Sequence, residues 1–532
     1  MTFTTRKLRE DKPSFSKKMI KAAPAVLRTG AVASGLFGLW HKKQERDQAE
    51  KRRSSFLKKI IIVLVALLGA AVLFAGTVKA LVALRIINSG TFYSVAGTDL
   101  PTDDDGFTNI LLLGSGDKGH DGVDLTDTIM VASLDPDTGA TVLFSIPRDL
   151  YITDSDKMGT GRINELYRNY KNYLRRTKDM EEADASKESM NELARELGNK
   201  LGLPLHRVIK VDFIAFVDVV DALGGVDVDV KQDIVDREYP GPNYSYQTFE
   251  ILAGPQHLDG ETALKYARSR HTTSDFDRAA RQQQLVQALS KKAQELGIVS
   301  SPGKIMSLLK IITEHTETTI TVSEMIGLGG LAEDLERDRV ISMQLNDRSG
   351  TSVLPGGFLY SPPREQFGGA AVLLPLASSR ADGGSWGQIR TAMHMLTHNR
   401  MAYLNPVRIH ILNAGAKNGL ARSLANELDR YGFPVQETGN ATADGLAPKD
   451  DDKREASSVV PSLPEDTEEA EFFATLLGMD VADPPTTLPP EILGQVTILL
   501  GSTYEFTPID ALVAVPELTT PATDSGALAP TP

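Results

Sequence analysis

The run "IIIVLVALLGAAVLFAGTV", Ile60 to Val78, contains no charged residue. At about 1.5 Å of rise per residue it reaches roughly 28 Å, close to the hydrocarbon thickness of a bilayer. No other feature limits the chain so firmly. It predicts a transmembrane helix over 60–82, so the residues before and after it must fold in different compartments. "KRRSSFLKK" sets five basic residues directly before the run, and only Lys79 and Arg85 follow closely. Positive charge stays on the cytoplasmic side, so the N-terminus is expected inside the cell membrane and the main domains outside. The run begins too far along the chain, and without a small-residue cleavage pattern, to be a removed signal peptide; it reads as a single-pass anchor.

Charge divides the chain in the same way. Residues 1–59 hold sixteen Lys or Arg against five Asp or Glu, whereas the 532-residue chain carries −13 overall. The basic tail is read as mostly disordered, with a charge suited to anionic lipid. The acidic outer part has no basic face interleaved with aromatics, which argues against a nucleic-acid partner. Cysteine is absent, so disulfides, thiolate metal sites and a thiol nucleophile are excluded.

Beyond the anchor the length exceeds what one core fills. "NILLLG", "TIMVASL" and "ATVLFSIP" are apolar runs of strand length, the last two joined by the turn "DPDTG". "MEEADASKESMNELARELGNKLG" has helical spacing, and "VIKVDFIAFVDVVDALGGVDVDV" reads strand, helix, turn, strand. The expected class is α/β, an α/β/α sandwich on a central mixed sheet spanning 105–330. An extension and linker over 331–400 is expected next, a Gly- and Pro-containing stretch followed by a helix near Trp386 to Leu396. A small α/β domain over 405–505 follows, opened by "VRIHILNAGAKNGLARSLANELDRYGFPVQ" and interrupted by an acidic insertion at 447–469. Residues 506–532 read as a disordered tail.

Gly114, Gly116 and Gly119 have dinucleotide-fingerprint spacing after a strand, but a second strand follows where a helix would have to start, so no dinucleotide site is expected. Asp117 and Asp127, on a loop between two strands, could face one point and suit a hard cation such as Mg²⁺; a merely solvated acidic loop is the alternative. "YARSRHTTSDFDRAARQQQ" gathers Arg268, Arg270, Arg278 and Arg281. Arg268 and Arg270, two apart in a segment read as extended, would point to one side. Ser274 or Asp275 would cap a helix on which Arg278 and Gln282 share a face. Guanidinium forks and a helix N-terminus make a diphosphate-sized anion site. The alternative is exposed pairing of Arg278 and Arg281 with Asp275 or Asp277, worth about 0–1 kcal/mol each. Arg148 in "SIPRDLY" adds a cation at a strand end. The histidines are scattered, with no nucleophilic triad.

These motifs resemble the LytR-CpsA-Psr family of bacterial cell-wall assembly proteins. The likeness covers about Phe107 to Ala293 through "TDTIMVASLDPDTGATVLFSIPRDLYI", "INELY", "FIAFVDVVDALGGVDVDV", "HLDGETALKYARSRH" and "DFDRAARQQQLV" in the family's order. "VRIHILNAGAKNGLARSLANELDRYGF" resembles the accessory C-terminal domain of such proteins. The resemblance implies a phosphotransferase that moves an anionic glycopolymer from an undecaprenyl-pyrophosphate carrier to peptidoglycan. It further implies that Asp117 and Asp127 hold Mg²⁺, that Arg148, Arg268, Arg270, Arg278 and Gln282 grip the pyrophosphate, and that Asp275 orients the arginines. The apolar faces around Phe213, Phe216 and Val217 are candidates for the polyprenyl slot, with plain core as the alternative. Two other functions fit the same residues: a non-catalytic binding or regulatory membrane protein, and a lipid pyrophosphatase.

Overall fold

The computed structural model describes residues 100–117, 122–241, 245–269, 275–297, 316–334, 339–347, 357–377, 386–442, 449, 453–484 and 492–516, the side chains of 275–276 and 329–334 excepted. The expected transmembrane helix 60–82, the basic tail 1–59, Arg270 and residues 517–532 lie outside them, as does the Asp275 side chain. Among the described residues no helix is long and apolar enough to cross a membrane.

The first domain opens with β1 (Thr108–Ser115), β2 (Thr126–Asp135) and β3 (Ala140–Ile146). A short pair follows, β4 (Tyr151–Ile152) and β5 (Gly161–Arg162), then α1 (Ile163–Thr177) and α2 (Glu182–Leu201). Next come β6 (Arg207–Val211), α3 (Phe213–Ala222), β7 (Val226–Val230), β8 (Ile234–Pro240), β9 (Tyr246–Ile251), β10 (Gly254–Leu258), α4 (Gly260–Arg268) and α5 (Asp275–Glu295). The domain closes with β11 (Thr316–Thr318), α6 (Val322–Asp334) and β12 (Val340–Gln344).

Six of these strands form one mixed sheet in the order β11-β6-β1-β2-β3-β12, with β1 antiparallel to β2 and parallel to β6. Side chains on one face, such as Leu111, Leu113, Val131 and Phe144, pack with Leu166, Tyr167, Leu193 and Leu197 of α1 and α2. On the other face Met130, Ala132 and Leu143 meet Val286 of α5. Covering on both faces explains why β1 to β3 read as unbroken apolar runs rather than alternating ones. By contrast β7 alternates, with Val226, Val228 and Val230 buried and Asp227 and Asp229 exposed, because it lies over a second, smaller core with α4 and Tyr239.

The boundary expected at 330 is too early. Ile341 of β12 is buried and the strand pairs in parallel with β3, so the sheet runs to Gln344. An edge strand with one buried apolar residue carries little sequence signal. The stretch expected to be an extension and linker contains β13 (Leu359–Tyr360), β14 (Leu374–Pro375), the expected helix as α7 (Gly387–His398), and α8 (Arg400–Leu404), and Trp386, Ile389 and Leu396 enter the main core.

The second domain comprises β15 (Ile409–Asn413), α9 (Leu420–Arg430), β16 (Val435–Asn440), β17 (Ser458–Pro461), α10 (Thr467–Leu477), β18 (Asp480–Val481), β19 (Val496–Leu500) and α11 (Ile509–Leu512). Its sheet runs β16-β15-β19-β17-β18. The span 447–469, expected as an interruption, supplies β17 and the start of α10; Val459 and Val460 are fully buried, two apolar residues in a span whose charged residues dominate its composition. The tail also starts later than 506, because Ile509 is buried and donates its backbone N–H to Glu427 Oε1 at 3.0 Å.

Candidate functional site

The ends of β1, β3, β6 and β12 and the start of β2 meet at one edge of the large sheet, where an α/β fold leaves polar groups facing outward. The β1–β2 register pairs Gly114 with Thr128 and Ser115 with Thr126, which sets Asp117 and Asp127 at the same end of that ladder. A Cβ on Gly114 would lie 2.9 Å from Thr128 Cβ, so this glycine serves the close approach of two strands rather than a phosphate.

Asp127 is the hub. Its Oδ1 lies 3.2 Å from Arg148 Nη1 and accepts from Asn164 Nδ2 at 2.9 Å. Its carbonyl oxygen accepts from Arg278 Nη2 at 3.4 Å. Arg148 leaves β3, Asn164 sits in the first turn of α1, and the buried Arg278 sits in the first turn of α5, so four elements converge here. Asn164 is not among the residues expected from the sequence, although an amide in the first turn of the amphipathic "INELY" helix is a readable signal. Asn164 Oδ1 and Ser115 Oγ are buried with no hydrogen-bond partner among the described residues. With Asp127 they are oxygens of the kind Mg²⁺ takes, while no cluster of three or more His, Asp or Glu side chains suited to a metal occurs among the described residues.

Asp124, just before β2, is held by two lysines. Asp124, in a left-handed conformation at φ 63°, takes Lys171 Nζ at 2.9 Å and Lys210 Nζ at 3.1 Å. Burial pushes the Asp124 carboxyl up, but the two ammonium groups outweigh it and hold the group below its ordinary value.

Arg268 departs from expectation. It is the last residue of helix α4, not part of an extended segment; Asp259 caps that helix by accepting from Thr262 N at 2.8 Å, a readable start signal in "LDGET". Its guanidinium lies 4.1 Å from the centre of the Phe213 ring and 5.6 Å from that of Tyr239. Such stacking contributes about 0.5–2 kcal/mol and fixes the plane of the cation. Arg281 turns away from the hub and donates Nε to Tyr266 O at 2.9 Å and Nη2 to Ser269 O, bracing the chain that leaves α4.

Above the hub opens a cavity of about 480 Å³. Asp127, Asp212, Asp236, Arg268, Arg278 and Gln282 line its polar part, and Leu112, Met130, Phe216, Leu264 and Leu289 are among its apolar walls. Phe213 and Phe216 face it. Val217 does not; its backbone packs on α4, where a Cβ on Gly260 would lie 2.5 Å from Val217 O, and Val219 lines the cavity instead. Arg148, Arg278 and Gln282 also line a small neighbouring recess with Asp127 and Gln344.

Comparison with known proteins gives the following. Residues 88–367 match the LytR_cpsA_psr family, and residues 406–504 match the domain described as LytR cell envelope-related transcriptional attenuator. The chain is 29% identical over 375 residues to the cell wall biosynthesis protein LcpA of Corynebacterium glutamicum, covering 66% of this chain and 67% of that one. It is 30% identical over 227 residues to the polyisoprenyl-teichoic acid–peptidoglycan teichoic acid transferase TagV of Bacillus subtilis, covering 41% of this chain and 51% of that one, about half of TagV's length. The crystal structure of B. subtilis TagV aligns at 24% identity over 55% of this chain and 97% of that chain, with a TM-score of 0.39, too low to support a structural argument.

Proposed function

The chain belongs to the LytR-CpsA-Psr family, and from that premise we propose that it is a membrane-anchored phosphotransferase that moves an anionic glycopolymer from a polyprenyl-pyrophosphate carrier, undecaprenyl in length, to peptidoglycan outside the cell membrane. One observation carries the reading: a cavity with apolar walls is also lined by Arg268, Arg278, Gln282 and the hub Asp127. That is the shape of a lipid diphosphate, a long hydrocarbon joined to a doubly charged head.

In this reading the carrier's chain lies along Phe216 and Leu289, and its diphosphate meets Arg148, Arg268 and Arg278. Arg270 and Asp275 belong to the same segment and are assigned by the family resemblance to gripping the head and orienting the arginines. An acceptor hydroxyl oxygen forms a bond to the glycan-side phosphorus and releases its proton. The bond from that phosphorus to the bridging oxygen breaks, and the lipid leaves as its monophosphate. Little covalent chemistry is asked of the protein; fixed cations that hold the developing charge supply the rate. Asp127, Asp117 and Asn164 would hold Mg²⁺, whose charge would add to that of the arginines.

The test is to incubate the full chain in detergent with a polyprenyl-diphosphate-linked glycopolymer, Mg²⁺ and peptidoglycan. Phosphate-linked glycan on the peptidoglycan is the expected product. Free glycan phosphate without transfer would make the protein a pyrophosphatase, and binding without either product would make it a holder of lipid-linked polymer.

A further inference from the structure

A second cavity, of about 920 Å³, lies on the other side of α5, between the two domains. Its volume falls within the roughly 300–1,000 Å³ of ligand sites. Six amide side chains line it: Gln232, Gln283, Gln284, Gln287, Gln344 and Asn346; the second domain contributes Arg430, Gly432 and Pro434. An amide offers a donor pair beside an acceptor, which matches adjacent hydroxyl and acetamido groups of a saccharide better than it matches a phosphate or a hydrocarbon. Several of these amides are already braced: Gln287 donates to Ser342 Oγ at 2.9 Å and Gln284 to Asp229 O at 2.8 Å, so the wall is held in place.

Helix α5 therefore divides two environments. Arg278, Gln282, Leu285, Val286 and Leu289 face the apolar cavity; Asp277, Arg281, Gln284 and Gln287 face the amide-lined one. The two faces follow from a repeat of 3.6 residues per turn. Gln344, at the end of β12, connects them: it lines the amide cleft and also the recess of Asp127, Arg148 and Arg278. Its Oε1 is buried and has no hydrogen-bond partner among the described residues. A buried amide oxygen left unpaired costs about 1–3 kcal/mol, so the position calls for a donor that none of the described residues supplies.

We infer that this interdomain cleft holds the acceptor glycan strand, and that Gln344 Oε1 receives a hydrogen bond from it beside the phosphorus. The inference rests on the transfer reaction proposed above and adds its missing half. In-line displacement requires the attacking oxygen to approach opposite the leaving group. If the leaving lipid phosphate lies on the apolar side of α5, the attacking hydroxyl enters from the other side, where the cleft is.

Binding, read without catalysis, tests it. Soluble uncrosslinked peptidoglycan strands of defined length are titrated into the full chain in detergent and into two variants: Gln344→Ala, and Gln232→Ala combined with Gln287→Ala at the cleft's outer wall. Expected is at least tenfold weaker strand binding in both, with the affinity for polyprenyl diphosphate unchanged in the outer-wall double variant. Wild-type protein that fails to bind strands, or variants that bind them equally well, would overturn the inference, as would capture of lipid-free glycopolymer in the cleft in preference to strands. Strand binding lost in the variants while no transfer is ever detected would sink the transferase reading and leave the cleft assignment standing.

Discussion

The two ends of the six-stranded sheet use charge in opposite ways. At the far end, where β2 runs into β3 and β6 begins, charged groups are enclosed and answered by the protein itself. Arg400 donates to Ser133 O at 2.9 Å, Ala140 O at 3.0 Å and Thr397 O at 3.0 Å, and lies 3.6 Å from Asp135. Burial pushes its guanidinium down to about 10. Arg207 grips Glu324 with Nε 3.1 Å from both carboxylate oxygens. At the near end Asp127, Arg148, Arg268 and Arg278 surround cavities, and Asn164, Ser115 and Gln344 keep buried oxygens without a partner among the described residues. The far end also has one buried side-chain oxygen, Asn109 Oδ1, without a partner among the described residues, but it lines none of the three cavities described above.

The sharpest way to break this comparison is Arg278→Ala, which should lower transfer about 100-fold or more, the scale of losing one preorganised charge donor, with Arg278→Lys recovering only part because a point charge replaces a fork. Transfer that survived Arg278→Ala would show that the near end is merely another enclosed network.

Next in size is the response to acid. The Arg207 guanidinium holds the Glu324 carboxyl down at about 2 against its ordinary 4.5. Its folded pKa is depressed, so its stabilisation is complete above about pH 4.5 and is lost as pH falls towards 2. The amount is on the order of 2–3 kcal/mol. Urea midpoints between pH 5 and 2.5 should fall less steeply for Glu324→Gln than for the wild type, and parallel curves would remove this pair from the far-end account.

Arg400→Met should cost about 1–3 kcal/mol by leaving buried carbonyls unanswered, read as a lower urea midpoint, while kcat stays within about twofold. A large loss of kcat there would mean that the two ends are coupled. The smallest effect is expected from Lys231→Ala, which removes an exposed 2.7 Å contact to Asp229 and should leave the melting temperature unchanged within error.

How much of this was legible depended on how each residue is buried. The β1–β2–β3 hairpins were readable because strands covered on both faces must be apolar throughout. β12 and β17 were not, because an edge strand or a four-residue strand needs only one or two buried side chains, Ile341 in one and Val459 with Val460 in the other. Among the site residues, Asp127, Arg148, Arg278 and Gln282 stood out by type and spacing. Arg281 has the same type and spacing but serves as a brace, and Val217 packs on Gly260 while Val219 faces the cavity; nothing in a linear pattern distinguishes those directions.

The sequence by itself determined the apolar run at Ile60 to Val78, the α/β class, and the gathering of arginines after Tyr266, because periodicity and charge spacing are properties of neighbours along the chain. Only the tertiary structure decided that Asn164 would meet Asp127, that Arg268 would be held against Phe213, and that Gln344 would stand between an apolar cavity and an amide-lined cleft. Those contacts join residues tens to hundreds of positions apart, and their partners are chosen by how sheets and helices pack, which local spacing does not encode.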